Sequence, residues 1–134
     1  KRCFYGAWRD RDQGVLVENK GYRFPEEIIG ISGALMFLKR EALTDDTLFD
    51  ESFFMYKEDI DLCLRLRKRG WSLHFNPMMT AYHCRGWNPD RKKMPKAFRL
   101  LSAKNELKIH LKMRCPLGTA YSSCKYLGVL LFNL

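Results

Sequence analysis

The segment from Lys57 to Gly70 constrains the fold more than any other part of the chain. Glu58, Asp59 and Asp61 stand at its start, and Arg65, Arg67, Lys68 and Arg69 at its end. Acids complement the positive end of a helix dipole and cations its negative end. Ile60, Cys63 and Leu64 supply one apolar face, with Arg65, Lys68 and Arg69 turned to solvent, and Gly70 stands where a left-handed cap belongs. The pattern predicts a helix over 57–69. Ahead of it, Phe49-Asp50-Glu51 and Phe53-Phe54-Met55-Tyr56 mix carboxylates with aromatics, a setting that can half-shield a carboxylate and suit it to proton transfer. Local physics alone accounts for the same acids as helix capping.

Around this helix the chain reads as α/β. Residues 1–30 form a loop-rich lead-in with one expected strand at Gly14 to Glu18, 31–87 a core segment, and 88–134 a basic loop, an amphipathic helix and an apolar tail. Ile31 to Leu38 is a short apolar run expected to be a buried strand, with Gly33 admitting close approach to the backbone. A short helix is expected at Lys39 to Leu43. Trp71 to Asn76 alternates with period two and predicts a half-buried strand stopped by Pro77, with His74 on its polar face. Met79 to Tyr82 is expected to be another strand. Leu100, Ala103, Leu107 and Leu111 predict an apolar helical stripe, with Lys104, Lys108 and Lys112 as a second line that is either solvated or set against a membrane surface.

The 134 residues suffice for one compact domain, and a start at Lys1 with an end inside an apolar run reads as a piece of something longer. The apolar stretch Tyr126 to Leu134 is well below the roughly 20 residues that span a bilayer. The net charge of +9, from 24 basic and 15 acidic residues, implies an anionic partner without choosing among nucleotide diphosphate, phospholipid and nucleic acid. Aromatics clustered around acids would repel phosphate, which ranks nucleic acid low. The five cysteines form no C-x-x-C pair and fit a reducing cytoplasm, and His83-Cys84 lacks the second pair that a structural zinc site needs.

Taken in order, Gly33-Ala34, Arg40-Glu41-Ala42-Leu43, Phe49-Asp50-Glu51, Phe53 to Tyr56, Glu58-Asp59, Asp61-Leu62, Arg65, Gly70-Trp71, Pro77 and His83 resemble the C-terminal half of family 2 glycosyltransferases, in particular the rhamnosyltransferase-like branch. A weaker echo falls at Lys104-Asn105. The resemblance implies the acceptor-side half of a GT-A fold, an α/β domain around a mixed sheet. It also implies transfer of a sugar from a nucleotide diphosphate donor, with inversion, to a lipid-linked or polysaccharide acceptor in bacterial cell-surface glycan synthesis.

Asp59 would then be the general base and Glu58 a partner for a sugar hydroxyl, with Gly33, Ala34 and Tyr56 lining the acceptor or sugar pocket. His83 would help hold a divalent metal, Mg²⁺ or Mn²⁺, bound chiefly by an Asp-x-Asp motif in an N-terminal half that this chain lacks. Asp59-Ile60-Asp61 and Asp10-Arg11-Asp12 match Asp-x-Asp literally but stand in the wrong context. A helix N-terminus favours the Asp59 carboxylate as an anion, whereas burial among Phe53, Phe54 and Tyr56 would oppose it. A lone half is expected to turn over little, to self-associate through uncovered apolar surface, and to sit in the cytoplasm or against the inner face of the cytoplasmic membrane. The contrasting reading is a non-catalytic basic module for anionic membrane or, less favoured, nucleic acid.

Overall fold

The computed structural model describes residues 7, 8, 10, 11, 15, 16, 21–44, 48–83 and 93–132. In chain order they form strand β1 (Glu26–Glu27), a single 3₁₀ turn (Arg40–Ala42), helix α1 (Glu58–Lys68), strand β2 (His74–Phe75), helix α2 (Lys96–Lys112) and helix α3 (Pro116–Phe132). Helix α1 runs as the charge pattern predicts. Gly70, at φ 90°, completes a Schellman end in which the Gly70 N–H donates to Arg67 O (3.0 Å) and the Trp71 N–H to Leu66 O (3.1 Å). Its buried face is not quite the expected one: Asp61, Leu62, Cys63 and Leu66 are buried, while Leu64 is only half-buried.

Strands β1 and β2 pair antiparallel, Glu26 with Phe75 and Glu27 with His74, and the Ile28 N–H extends the ladder to Leu73 O at 2.9 Å. Among the described residues this pair is the whole sheet. His74 is exposed as expected and bonded to Ser72 at 3.0 Å. Two expected strands are corrected. Residues 31–38 and 79–82 hold no strand, because a strand needs a neighbour to take its backbone hydrogen bonds and none lies beside either segment among the described residues. Met36 and Leu38 nevertheless pack on the core while Leu35 and Phe37 are exposed. The expected strand at 14–18 and basic loop at 88–96 fall largely outside the described residues.

The core gathers Ala42, Leu62, Cys63, Leu66 and Leu73, with Ile28, Ile31 and Trp71 packed against it. Burial pushes the Cys63 thiol above its ordinary pKa, so it remains a protonated packing group.

Helix α2 corrects the predicted stripe. Its buried residues are Ala103, Asn105, Glu106, Ile109 and His110, whereas Leu111 is exposed. The polar members are buried because each is bonded. Glu106 accepts from Lys125 on α3 and from the Trp8 N–H (3.2 Å), and the His110 Nδ1 lies 2.6 Å from Ser122 Oγ. Desolvation alone would favour neutral Glu106, but the charges of Lys125 and Lys57 and these hydrogen bonds outweigh it and hold its carboxyl below the ordinary range. Gly118 lets α3 approach closely, since a Cβ there would sit 2.6 Å from the His110 ring. The lysine line is not a free face either: Lys108 bonds Ser52 and lies over the Phe53 ring, and Lys112 pairs with Asp50 and Asp61.

Candidate active site

The approach to α1 is built by a strained turn. Asp50 organises its start, accepting from the Ser52 N–H (2.9 Å), while its carbonyl accepts from the Phe53 N–H (2.9 Å). The Ser52 hydroxyl and the Lys112 ammonium hold the Asp50 carboxyl far below its ordinary pKa. Phe53 is buried beneath Lys108, but Phe54 is 85% exposed, so the expected aromatic shield is only partly formed. Two successive non-glycine residues then turn left-handed, Tyr56 at φ 70° and Lys57 at φ 72°. Each such residue costs about 1–2 kcal/mol. Buried Asn105 holds this conformation by donating its side-chain amide to Met55 O (2.8 Å) and Tyr56 O (2.9 Å). Sequence reading passed over Asn105 as a site residue. The available signals were the echo at Lys104-Asn105 and its place at spacing four between Leu101 and Ile109, on the buried side of α2.

The turn delivers Glu58 and Asp59 to the first turn of α1. Asp59 Oδ2 accepts the Gly33 N–H at 2.9 Å, and Oδ1 accepts the Ile60 N–H at 2.8 Å. A Cβ on Gly33 would lie 3.3 Å from Asp59 Cβ, so glycine gives the segment room to dock there. One turn along, the Ile31 N–H donates to Cys63 Sγ at 3.3 Å. Asp59 and Cys63 are four residues apart, hence on one face and about 6 Å apart along the axis, a distance that two residues of chain can span. Ile31 and Gly33 meet them in turn, and this match fastens the 31–33 segment along α1. Ala34 follows, exposed.

Glu58 Oε2 is buried and accepts no hydrogen bond among the described residues. A buried carboxylate oxygen without a donor calls for one, and a ligand hydroxyl is the right chemistry. Asp61, two residues beyond Asp59, is fully buried, paired with Arg65 Nε at 2.7 Å and with Lys112.

Of the residues singled out from sequence, Gly33 and Asp59 are in contact, Glu58 precedes Asp59 in the first turn of α1, and the Tyr56 ring packs edge-on against Phe98 of α2. His83 is exposed. Among the described residues no group of three or more His, Cys, Asp or Glu side chains is placed to hold a metal ion.

Residues 15–98, more than half of the chain and all of this site except the α2 residues Asn105, Lys108 and Lys112, match the glycosyl transferase family group 2. The chain belongs to that family. Rhamnosyltransferase WbbL of Escherichia coli K12 is 40% identical over 68 residues, which cover 51% of this chain and 25% of the relative. The N-acetylglucosaminyl-diphospho-decaprenol L-rhamnosyltransferase of Mycobacterium tuberculosis is 40% identical over 53 residues, 40% of this chain and 17% of the relative. The matched segment thus spans a quarter or less of these glycosyltransferases. No solved structure matches the chain.

Proposed function

We propose that the chain is the acceptor-side half of a GT-A glycosyltransferase that moves a sugar, with inversion, from a nucleotide diphosphate to a lipid-linked or polysaccharide acceptor. The observation that carries this reading is the docking of Asp59 on the Gly33 N–H. Asp59 is held by two neutral backbone donors, and a carboxylate offers about four lone-pair sites. Acceptor capacity remains for a substrate hydroxyl. In the mechanism, that hydroxyl donates to Asp59, its oxygen attacks the anomeric carbon from the face opposite the leaving diphosphate, and its proton passes to the carboxylate. Glu58 Oε2 accepts a second sugar hydroxyl, which orients the ring. Asn105 touches no substrate and acts by holding the 55–57 turn.

The decaprenol-linked substrate named for the mycobacterial relative supports a lipid-linked acceptor. On this reading the donor nucleotide and a divalent metal are bound by a separate N-terminal half, with His83 at the edge of that site, and residues 1–134 are one partial domain with little turnover alone. Cys63, Cys115 and Cys124 are free thiols, which supports a cytoplasmic setting. The test joins the chain to its donor-binding half and follows transfer from nucleotide sugars, reading the anomeric configuration of the product by NMR. Inverted product that disappears in Asp59→Asn supports the reading. Retained configuration, unchanged turnover in Asp59→Asn, or robust transfer by residues 1–134 alone would each refute a stated part of it.

A further inference from the structure

Helix α3 presents two unlike faces. Gly118, Ser122 and Val129 are buried and Lys125 reaches Glu106, so this face is spent on α2. On the opposite face Leu117, Ala120, Cys124, Leu127 and Leu131 follow at spacings of three and four and all are exposed, with Leu117 at 73%, Leu127 at 50% and Leu131 at 64%. From Leu117 to Leu131 this makes an uncharged stripe about 21 Å long. At its N-terminal end it opens into a hollow of about 450 Å³ lined by Leu111, Arg114, Pro116 and Ala120, among others. A contiguous apolar patch of this kind marks a surface that something covers.

Charge says what covers it. From Lys96 to Phe132 the two-helix unit carries seven Lys and Arg against one acid, the buried Glu106; Lys108, Lys112 and Lys125 are engaged within the fold, while Lys96, Lys104 and Arg114 are exposed. Exposed Arg114 precedes the stripe, and exposed Lys96 donates to Leu130 O (2.9 Å) at its far end. No Asp or Glu among the described residues pairs with either. A second copy of this helix is disfavoured: antiparallel pairing sets Arg114 near the partner's end that carries Lys96, and parallel pairing sets each cation against its own copy. No helix among the described residues is long and apolar enough to cross a membrane. We propose that the outer stripe of α3 lies in the headgroup region of an anionic phospholipid bilayer, with Arg114 and Lys96 on lipid phosphates. This surface is distinct from the lysine line of α2, whose Lys108 and Lys112 are engaged inside the fold.

The experiment is flotation of the chain with phosphatidylglycerol-containing vesicles and with pure phosphatidylcholine vesicles, at low and high salt, beside sedimentation velocity and circular dichroism. The expected result is binding to the anionic vesicles that weakens with salt. Leu127→Asp, on the outer face, should weaken it by roughly ten- to a hundredfold with helicity unchanged. Lys96→Gln and Arg114→Gln should each weaken it about fivefold. Absence of binding, binding indifferent to lipid charge, or binding untouched by Leu127→Asp overturns the proposal. A dimer that Leu127→Asp dissolves, without vesicle binding, assigns the stripe to a second copy and overturns it equally. Loss of binding when the chain is joined to a donor-binding half assigns the stripe to that half, with the same consequence.

Discussion

Asp59 and Asp61 stand two residues apart in the first turn of α1, yet their surroundings are opposite. Asp61 is fully buried between Arg65 and Lys112, while Asp59 is half-buried and, among the described residues, accepts from the backbone N–H groups of Gly33 and Ile60 alone. At about 100° per residue the two point to nearly opposite sides of the helix, one toward α2 and the other toward the 31–33 segment. An acid fully buried between two cations is closed to a substrate. One held by neutral donors keeps capacity for a substrate. The split also disposes of the literal Asp59-Ile60-Asp61 match to a metal-binding motif, since the two carboxylates do not face one site.

The sharpest way to break this contrast is to neutralise each acid in turn. Asp59→Asn keeps the shape and removes the proposed base, so turnover of the chain joined to the proposed donor half should fall by about 10²- to 10⁴-fold. Its unfolding free energy should change by about 1 kcal/mol or less. Asp61→Asn removes the buried partner of Arg65 and Lys112, which keep Leu48 O and Asp50, and should destabilise by about 1–3 kcal/mol in urea titration. Were Asp59→Asn the variant that unfolds and Asp61→Asn the one that loses only turnover, the assignment of the two roles would be reversed.

How much of this could be read from the sequence differs by element. Helix α1 was legible because its acidic start, basic end and Gly70 all state the same thing, and the φ of 90° at Gly70 shows why glycine stands there. Strand β2 was legible within Trp71 to Asn76, but its partner at Glu26–Glu27 carries no alternation to announce it. Residues 31–38 looked like a strand because they are apolar, and apolarity does not specify a neighbour. The buried side of α2 was misread for a different reason. Asn105, Glu106 and His110 are polar, and pattern analysis turns polar residues outward. What buries them is a set of bonds to Met55, Tyr56, Lys125 and Ser122, none of them near in sequence. Gly33, Glu58 and Asp59 were legible as candidates through family resemblance, whereas the Asn105 clamp needed the fold.

That clamp sharpens the comparison, since it belongs to the stabilising side of the molecule yet serves the open side. Asn105→Ala leaves the carbonyls of Met55 and Tyr56 without their donor and should destabilise by about 1–3 kcal/mol, measured by chemical denaturation. Hydrogen exchange at the Asp61 amide, which bonds Lys57 O at 2.9 Å, should speed up with it. Asn105→Asp tests the mechanism further. It keeps size and burial but offers only acceptors to two carbonyls, so it should be no better than alanine; an aspartate that restores the turn would show that packing, not donation, holds it.

The smallest effect on stability should come from Gly33→Ala, and it separates the two sides most cleanly. The added methyl would lie 3.3 Å from Asp59 Cβ and 3.8 Å from its Oδ2. That is tight but not overlapping, and Gly33 is not among the residues with positive φ. A shift of a few tenths of an ångström relieves it, so the destabilisation should be about 1 kcal/mol or less. The same shift moves the carboxylate that, in the proposed mechanism, meets an acceptor hydroxyl within hydrogen-bond reach, and small misplacements of reacting groups are costly to rate. Turnover of the joined enzyme should therefore fall severalfold while its unfolding midpoint barely moves. A variant with full turnover would mean that the Gly33 contact merely fastens the segment, and the case for Asp59 would then rest on Asp59→Asn alone.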